Sequence, residues 1–563
     1  MSSTDIDDTF NAPPPPRVKP PTRDDILGSL RWRKTEEVKT SKGPRLKTVA
    51  IANGYAHELF KREGPSLYKL GYTLTQWPRV TGPWFVTKWE LVPQHIIVQR
   101  ELAKDMSRAT SHDADLPRPP GMEYFPFQKA GIAFSLTRRA TLFADEPGLG
   151  KTCQAIGVIN CIPEIKRILV ICPASLKLNW RRELERWLVR KRTIFIADSK
   201  VFPELLDAVI IINYDVIAKH RDAIRDTEWD YLICDEAHYL KNPDAKRTQV
   251  VFGYRFKKKE GLTDLPPVTA KFKALLTGTP ICNRPKELYP LINFLDPINW
   301  SSWWKYAARY CDAGAHNAFN CDGASNLEEL QDRLRSSIMI RRLKRDVLTE
   351  LPPKTRRVVE FAPTGEMLEL AKEERAQFSS EEEYQSHVDS LLTKPIVGQR
   401  ATYRKRCAIA KVQMPAVLSY LDDAVEESGK VIVFCWHVEV YTLLRAHFGP
   451  RAVGMNGSTP QQDRQVAVDS FQHSPAIQVI VGNIITMGTG HTLTAASRVI
   501  MVELDDVPGN VTQAEDRAHR IGQRDNVLVE HLIVTGTIDA HMARNIVAKQ
   551  EVIDAALDKQ SHA

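Results

Sequence analysis

Short apolar runs alternate with helix-like segments along two long stretches of the chain. Near-continuous apolar runs separated by helices are typical of parallel strands that are buried on both faces of a sheet. The sequence therefore predicts an α/β protein with two parallel-sheet domains in tandem. The first series comprises residues 168–172, 208–212, 231–234 and 273–276, and the second comprises 431–435, 477–481, 499–502 and 528–533.

A glycine-rich turn lies between an apolar strand and a helix-like segment at residues 145–152, which read DEPGLGKT. Backbone N–H groups of such a turn point at phosphate oxygens, and the dipole of the following helix favours negative charge there. Gly148 and Gly150 would shape the turn, Lys151 would reach the β- and γ-phosphates, and the Thr152 hydroxyl would ligate Mg²⁺. Asp145 stands where the strict pattern has glycine, so this is a variant loop. Either it binds a nucleotide such as ATP together with Mg²⁺, or it is a glycine turn that joins a buried strand to a helix, and the rest of the chain must decide.

Two acidic residues, Asp235 and Glu236, directly follow the predicted strand at 231–234. Ligands of an open parallel sheet bind beyond the carboxyl ends of its strands, so both carboxylates should face the same crevice as the glycine-rich turn. We expect Asp235 to hold Mg²⁺, directly or through water. Glu236 would orient and deprotonate the attacking water, because phosphoryl transfer depends mainly on in-line positioning.

Composition indicates how many domains the chain forms and in which compartment it folds, and it does not change the prediction of a phosphate-binding enzyme. The 563 residues suffice for three to four domains, with 43% hydrophobic residues and no apolar run of about 18. The acidic N-terminus lacks the apolar core of a signal peptide. Nine scattered cysteines without a C-x-x-C pair indicate a reduced, intracellular protein, and Cys311 and Cys321 around His316 lack the paired spacing of a zinc site.

Positive charge is concentrated near the N-terminus. Residues 27–100 hold 13 Lys/Arg against 5 Asp/Glu, which equals the net charge of +8 of the whole chain. We expect a disordered proline-rich tail at 1–26, a small basic α+β accessory domain at 27–104 and a linker at 105–120. Within the accessory domain the sequence predicts strands at 46–51 and 84–89 and a helix that starts near residue 56. Tryptophans interleaved with basic residues suit nucleic-acid contact, although a small domain also needs large side chains in its core. DNA binding by this segment remains one of two interpretations.

The ordered motifs resemble those of the Snf2 family of superfamily-2 helicase-like ATPases. The loop at 145–152 is similar to the family's D-E-x-G-L-G-K-T, which accounts for Asp145, and residues 235–242 are similar to its D-E-A-H-x-x-K-N. Residues 341–354 resemble the family's R-R-x-K connector, and residues 513–523 its Q-A-E-D-R-x-H-R-I-G-Q signature. The resemblance implies RecA-like lobes at 121–335 and 411–563, joined by a helical connector at 336–410.

The resemblance also implies roles for single residues in binding nucleotide and DNA. Gln128 would read adenine, while Asp145, Gly490 and Gln513 would belong to the nucleotide site. DNA contacts are implied for Ser175, Thr279 and Thr492.

Two arginines of the last motif, Arg517 and Arg520, complete the predicted site. Residues three apart on a helix share one face, so both guanidinium groups could reach the γ-phosphate together. The resemblance implies that they act as arginine fingers from the second lobe.

The family resemblance implies an ATP-dependent translocase that moves along double-stranded or branched DNA as a monomer. No membrane is expected among its partners. The compact core and the basic N-terminal segment are most similar to the annealing-helicase branch. Departures occur at Thr486, Met487 and His491, which stand where the family has smaller or apolar residues, and at residues 505–507, which replace a tryptophan. Two alternatives remain open: a strand-separating DNA or RNA helicase, and a DNA-binding scaffold with an inactive ATPase fold.

Overall fold

The computed structural model divides the chain into two compact units, Met1–Glu101 and Leu102–Ala563. The predicted tail at 1–26 and the predicted helix start near residue 56 lie outside the described residues. The structure describes residues 36–40, 43–51, 67, 69, 72–76, 84–91, 94–258, 261–313, 321–376, 379–380, 399–488, 490–537, 540, 542–543 and 557.

The first unit contains a four-stranded antiparallel sheet with the strand order β1-β2-β4-β3. Its strands are β1 (Glu36–Thr40), β2 (Gly43–Ile51), β3 (Tyr72–Gln76) and β4 (Trp84–Leu91). The central pair sets Arg45 opposite Leu91 and Ile51 opposite Phe85. Valine, threonine and aromatic residues, which favour strands, recur in β2 and β4, and both predicted strands of this segment are confirmed.

The second unit begins with the rest of helix α1 (Gln94–Arg108) and then forms the first lobe. A seven-stranded sheet has the order β13-β5-β12-β9-β6-β8-β7, and every pairing in it is parallel. The strands are β5 (Ala140–Phe143), β6 (Arg167–Cys172), β7 (Thr193–Ile196), β8 (Ala208–Asn213), β9 (Trp229–Asp235), β12 (Ala270–Leu276) and β13 (Met339–Ile340), and a separate hairpin comprises β10 (Tyr254–Lys258) and β11 (Gly261–Leu265).

Helices cover both faces of this sheet. Along β6, Ile168, Val170 and Cys172 pack into one buried cluster, whereas Leu169 and Ile171 pack into another. This alternation explains why the strands are apolar throughout. The helices of the lobe are α2 (Pro126–Leu136), α3 (Lys151–Cys161), α4 (Lys177–Trp187), α5 (Arg221–Asp226), α6 (Lys246–Phe252), α7 (Tyr289–Leu295), α8 (Trp303–Tyr310) and α9 (Leu327–Arg335), with 3-10 turns at Ala174–Leu176, Ile217–His220, Ala237–Leu240 and Pro285–Leu288.

The second lobe is a six-stranded parallel sheet with the order β14-β19-β18-β15-β17-β16. Its strands are β14 (Lys354–Phe361), β15 (Val431–Cys435), β16 (Ala452–Met455), β17 (Val479–Asn483), β18 (Arg498–Met501) and β19 (Val527–Val534). The short α10 (Lys344–Val347) lies between β13 and β14 in the chain. The helices of the second lobe are α11 (Glu366–Arg375), α12 (Gln399–Lys411), α13 (Pro415–Ser428), α14 (Val438–Phe448), α15 (Gln461–His473), α16 (Ile484–Met487) and α17 (Pro508–Glu515), with a 3-10 turn at Gly449–Arg451. The two predicted parallel-sheet lobes are therefore confirmed.

The predicted helical connector at 336–410 is divided between the lobes. Strand β13 extends the first sheet beside β5, whereas β14 extends the second sheet beside β19. The same range also contains the helices at Lys344–Val347 and Glu366–Arg375 and most of the helix at Gln399–Lys411. The two strands were not expected, because they are short or exposed and lack the long apolar runs of the central strands. Strand β14, for example, leaves most of its side chains partly or fully exposed.

Two further segments differ from the predicted boundaries. The predicted linker at 105–120 begins inside α1, and Leu116 is buried in the core of the first lobe. Near the C-terminus, Leu557 is also fully buried against the first lobe, where its carbonyl accepts a hydrogen bond of 3.1 Å from Arg335 Nη2. The range 411–563 therefore does not belong wholly to the second lobe. Within the described part of the chain, no helix is both long and apolar enough to cross a membrane.

Candidate active site between the two lobes

The glycine-rich turn lies at the carboxyl end of β5 and leads directly into α3. Gly148 and Gly150 have φ of 92° and 74°, a left-handed conformation that favours glycine. The Lys151 ammonium donates hydrogen bonds to the carbonyls of Asp145 at 2.8 Å and Glu146 at 3.2 Å, so it folds back over the turn. Burial lowers the pKa of Lys151, and the nearby Glu236 carboxylate opposes this shift. The turn thus presents backbone N–H groups and a lysine at one helix N-terminus, which suits an anionic phosphate chain.

Asp145 supports this turn from the interior of the lobe. Its side chain is fully buried and forms an ion pair of 2.5 Å with Arg342 Nη2, while its Oδ2 also accepts a hydrogen bond of 2.9 Å from Gln154. Arg342 Nε binds the other oxygen at 2.9 Å. Both carboxylate oxygens are therefore engaged by protein groups, so Asp145 supports the turn from inside the lobe. The sequence could not show this because Arg342 lies 197 residues away.

Gln128 lies against the other side of the turn. Its side-chain amide donates to the Leu149 carbonyl at 3.3 Å, and its Oε1 accepts from the backbone N–H of Phe125 at 3.1 Å. A Cβ atom added to Gly150 would lie only 2.4 Å from Gln128 Nε2, so a larger residue there would displace the Gln128 amide. The exposed Phe125 ring stacks on Phe127 beside it. The structure therefore brings Gln128 and the phosphate loop together, whereas its recognition of adenine stays a prediction.

The two acidic residues after β9 differ in environment. Asp235 is buried and accepts hydrogen bonds from Trp180 Nε1 at 2.7 Å and from the Glu236 backbone N–H at 2.9 Å. Burial, reinforced by the Glu236 carboxylate, raises the pKa of Asp235 to about 7. Glu236 has a φ of 49°, a strained conformation for a residue with a side chain, which costs of order 1–3 kcal/mol. Backbone strain of this kind is concentrated at functional sites, where the surrounding structure maintains it.

Glu236 also contacts both lobes. Its Oε2 lies 3.4 Å from His238 Nδ1, and that ring nitrogen is 3.2 Å from Thr277 Oγ1. Its Oε1 accepts a hydrogen bond of 2.8 Å from Gln513 Nε2 of the second lobe. Gln513 belongs to α17, which approaches the first lobe closely: a Cβ on Gly509 would lie 3.4 Å from Thr279. The acidic pair and the last motif therefore form one site across the two lobes.

The prediction of Arg517 and Arg520 on one helix face is wrong. Helix α17 ends at Glu515, and the next residues form tighter turns in which Arg517 N–H donates to the Ala514 carbonyl. Arg517 is almost fully buried, with its guanidinium donating to the carbonyls of Gln513 at 3.0 Å and His491 at 3.3 Å. At the end of the helix the buried carboxylates of Glu515 and Asp516 pair with Lys354 and Lys344.

Arg520, in contrast, lies over the phosphate loop. A Cβ added to Gly148 would be 3.3 Å from Arg520 Cγ, and Arg520 Nη1 donates to Thr492 Oγ1 at 3.2 Å. The two arginines therefore occupy different positions, with Arg520 facing the first lobe.

The predicted DNA-contacting residues lie along the interface of the lobes. Ser175 is half-buried, and its carbonyl accepts a hydrogen bond of 3.2 Å from Gln461 of the second lobe. Gly490 faces Leu176, whose Cδ2 would be 2.6 Å from a Cβ at that position. Thr279 lies beside Gly509, and Thr492 is exposed next to Arg520. The structure thus places these three residues, and Gly490 of the predicted nucleotide site, near the lobe boundary. Their contacts with DNA stay a prediction.

Sequence reasoning missed three residues that build the site: Trp180, Arg342 and Lys344. Trp180 holds Asp235, Arg342 holds Asp145, and Lys344 reaches the second lobe, where its Nζ donates to the His519 carbonyl at 2.7 Å. The signal for the last two was the R-R-x-K string at 341–344, which indicated the family but not its contacts.

Two parallel-sheet lobes, a glycine-rich phosphate loop, an acidic pair and arginines from the opposite lobe together define an ATPase of the helicase superfamilies. Residues 127–407 match the SNF2-related domain, and residues 413–522 match the helicase conserved C-terminal domain. The chain is 35% identical over 485 residues to the DNA annealing helicase and endonuclease ZRANB3 of Bos taurus and 34% identical to the Homo sapiens protein. The chain belongs to the Snf2 family of ATPases, and these relatives confirm its resemblance to the annealing-helicase branch.

The matches cover most of this chain but only part of the relatives. The alignment with the Bos taurus protein covers 82% of this chain and 43% of that protein. A Caenorhabditis elegans homolog of the SWI/SNF-related matrix-associated actin-dependent regulator of chromatin subfamily A-like protein 1 is 34% identical, with 66% of its length covered. The chain therefore spans less than half of the mammalian relatives.

Among solved structures, the chain is similar to the Sulfolobus solfataricus SWI2/SNF2 ATPase core in complex with dsDNA. The two are 22% identical, the match covers 80% of this chain and 100% of the other, and the TM-score is 0.39. The assignment of the fold rests on the two sheets themselves.

Proposed function

We propose that this protein is an ATP-dependent double-stranded-DNA translocase that hydrolyses ATP between its two lobes and remodels branched DNA. The observation that carries the proposal is the contact across the lobes: Gln513 binds Glu236 at 2.8 Å while Arg520 lies over Gly148. A site whose parts come from two lobes is complete only when the lobes are closed. Hydrolysis and opening would then alternate, which supplies the cycle that stepwise movement requires.

Each residue of the candidate site has a distinct task in this mechanism. Lys151 and the N–H groups at the start of α3 bind the β- and γ-phosphates, and Gln128 holds the adenine end of the nucleotide. Glu236 orients the attacking water and accepts its proton. Arg520 stabilises the charge that builds up on the γ-phosphate, and Arg517 holds the segment that presents it.

The donor set of the site fits Mg²⁺. Asp235 is a buried carboxylate whose pKa is raised by burial and by Glu236, so a nearby cation would favour its charged form. Thr152 adds a half-buried hydroxyl at the helix start. Few protein ligands are needed, because Mg²⁺ is usually held by one or two protein oxygens together with substrate phosphates and water. When bound, the ion would neutralise phosphate charge during transfer.

DNA contacts are proposed for Ser175, Thr279 and Thr492. Hydroxyl and backbone groups bind phosphates without reading sequence, so movement would tolerate any sequence. The relatives named for DNA annealing support branched DNA as a substrate. The proposal includes action as a monomer on DNA in the nucleus.

The test is an ATPase assay with single-stranded, duplex, forked and four-way DNA. We expect the largest stimulation by duplex-containing branched DNA, together with displacement of a triplex-forming third strand, which reports movement without strand separation. Glu236→Gln should bind ATP without cleaving it, and Lys151→Ala should abolish hydrolysis.

Three outcomes would contradict the proposal. Stimulation by single-stranded RNA alone, or unwinding of a fork with no triplex displacement, would indicate a strand-separating helicase. Absence of hydrolysis with every DNA, unchanged by Glu236→Gln, would indicate a binding scaffold.

A further inference from the structure

Lys344 has its main chain anchored to the phosphate loop. It follows β13, which pairs with β5 in the sheet of the first lobe, and its own backbone N–H donates to the Glu146 carboxylate. The Glu146 backbone N–H in turn donates to the Arg342 carbonyl at 3.1 Å. Arg342 and Lys344 are therefore both hydrogen-bonded to Glu146, which belongs to the turn that contains Gly148.

The side chain of Lys344 reaches the second lobe. Its ammonium donates to the His519 carbonyl at 2.7 Å and lies 3.1 Å from Asp516 Oδ1. The side chain is 4% exposed, so these two acceptors replace water around a charged group. Both acceptors belong to residues 516–520, here called the arginine segment, which carries Arg517 and ends at Arg520.

The stems of Lys344 and Arg520 both lie over Gly148 of the loop. A Cβ added to Gly148 would be 3.6 Å from Lys344 Cε and 3.3 Å from Arg520 Cγ. The space directly over the loop is therefore occupied by one side chain anchored to the first lobe and by one from the segment that Lys344 binds.

A second lysine binds the same carboxylate from within the second lobe. Lys354 Nζ lies 2.8 Å from Asp516 Oδ1 and 3.2 Å from Glu515 Oε2. Lys354 belongs to β14, which pairs with β19 of the same lobe. Asp516 thus has one cation from each lobe, and Lys344 is the one whose ion pair breaks when the lobes separate.

We propose that Lys344 is a positioning residue for the ATPase reaction: it links the phosphate loop to the arginine segment and sets Arg520 against the γ-phosphate when the lobes close. This inference rests on the proposed ATP hydrolysis by this site. Lys344 acts through Arg520, and it contributes little to holding the nucleotide in the first lobe.

The test compares Lys344→Met with Lys354→Met, which removes a cation from the same carboxylate within one lobe. We expect Lys344→Met to lower kcat by 10- to 100-fold with the Kd for ATP changed less than 3-fold, and Lys344→Arg to restore at least half of the activity. Lys354→Met should lower the urea midpoint with a smaller loss of kcat. Equal losses in kcat for the two Met variants, or no rescue by arginine, would overturn the proposal.

A double-mutant cycle tests the route through Arg520. Lys344→Met should reduce kcat less than 2-fold when Arg520→Ala is already present, because the group it positions is gone. Losses that multiply would contradict the inference.

A readout that needs no hydrolysis separates this inference from the proposed function. Hydrogen exchange of a peptide covering residues 508–523 should slow on addition of Mg·ATPγS in the wild-type protein and in Lys354→Met, but not in Lys344→Met. Failure of DNA to stimulate hydrolysis would contradict the translocase function, whereas equal protection in all three proteins would contradict the role of Lys344.

Discussion

Arg520 is the arginine whose position fits charge stabilisation at the γ-phosphate. Its stem lies against Gly148, whereas the Arg517 guanidinium is turned toward the carbonyls of Gln513 and His491. We expect Arg520→Ala to lower kcat on the order of 10³-fold, the scale of arginine fingers, with the Kd for ATP nearly unchanged. Stopped-flow phosphate release and binding of a fluorescent ATP analogue measure the two quantities. The exposed Arg524→Ala is the matched control, and an equal effect of both changes would rule out the assignment.

We expect His491 to make the stability of the second lobe depend on pH. Its ring is 9% exposed, its Nε2 has no hydrogen-bond partner in the described part of the chain, and burial together with Arg517 lowers its pKa to about 4. Arg464 and Arg520 also face it and act in the same direction. The folded state binds the proton more weakly than the unfolded state, so stability is complete above about pH 6.5 and is lost as pH falls toward 4.

Substitution of His491 by leucine should remove this dependence. At pH 5.5 the free energy of unfolding of the wild-type protein should be about 1.4 kcal/mol lower than at pH 7.5 because of His491. The His491→Leu variant should not show this decrease. Urea midpoints at the two pH values, compared between the wild type and the variant, measure it. The exposed His473→Gln serves as the control. A wild type and a His491→Leu variant that lose stability in parallel would show that His491 is not the group responsible.

At the scale of elements, the Asp145–Arg342 ion pair ties the phosphate loop to the end of β13. Arg342 also donates to the Phe127 carbonyl and to Gln154 at 2.8 Å, so it joins α2, α3 and the loop. Removal of one partner leaves a buried charge unpaired, which costs about 3–5 kcal/mol. We therefore expect Arg342→Met to destabilise the first lobe by that amount in urea unfolding.

The control for this pair is Arg345→Met, since the Arg345 side chain is 72% exposed and only 3.6 Å from Asp346. It should cost less than about 1 kcal/mol, as surface pairs do. The double variant Asp145→Asn/Arg342→Met should be more stable than Arg342→Met alone because no buried charge remains. Equal costs for the buried and the exposed arginine would contradict the structural role of the pair.

The elements that could be predicted from sequence are those with a strong local signal. Runs such as 208–212 and 431–435 are buried strands because no alternative places so many apolar side chains out of water. Strand β14 lacked such a signal, since its residues KTRRVVEF are largely exposed and gain their place by pairing with β19. The loop and the acidic pair were found by motif, whereas Arg342 and Lys344 act over more than 170 residues of separation, which no local pattern shows.

The arginine segment illustrates the opposite error. A three-residue spacing favoured a helix face at 517–520, but the lysines of β14 and α10 bind Glu515 and Asp516 and the chain leaves the helix there. The helix therefore ends where these buried ion pairs form, and no local spacing of residues shows such contacts. Functional segments are where such conflicts are expected.

At the scale of the whole molecule, the basic N-terminal unit sets the last prediction. Positive charge there gives attraction to phosphates that weakens with salt, because each bound phosphate releases counterions. Removal of residues 1–93 keeps α1 intact and leaves the unit from Leu102 onward, which is compact by itself. We expect the truncated protein to bind four-way and duplex DNA more weakly, and its slope of log K against log salt to become shallower by about 0.9 for each phosphate that the protein no longer neutralises.

Fluorescence anisotropy at four salt concentrations measures that slope, and a variant with Arg45→Gln and Lys47→Gln on β2 gives the intermediate case. ATPase activity at saturating DNA should be retained by the truncated protein, since every residue of the catalytic site lies between Gln128 and Arg520. A slope unchanged by truncation would show that the basic unit serves a partner other than DNA. A shallower slope with selective loss of four-way over duplex binding would instead show that this unit favours branched DNA.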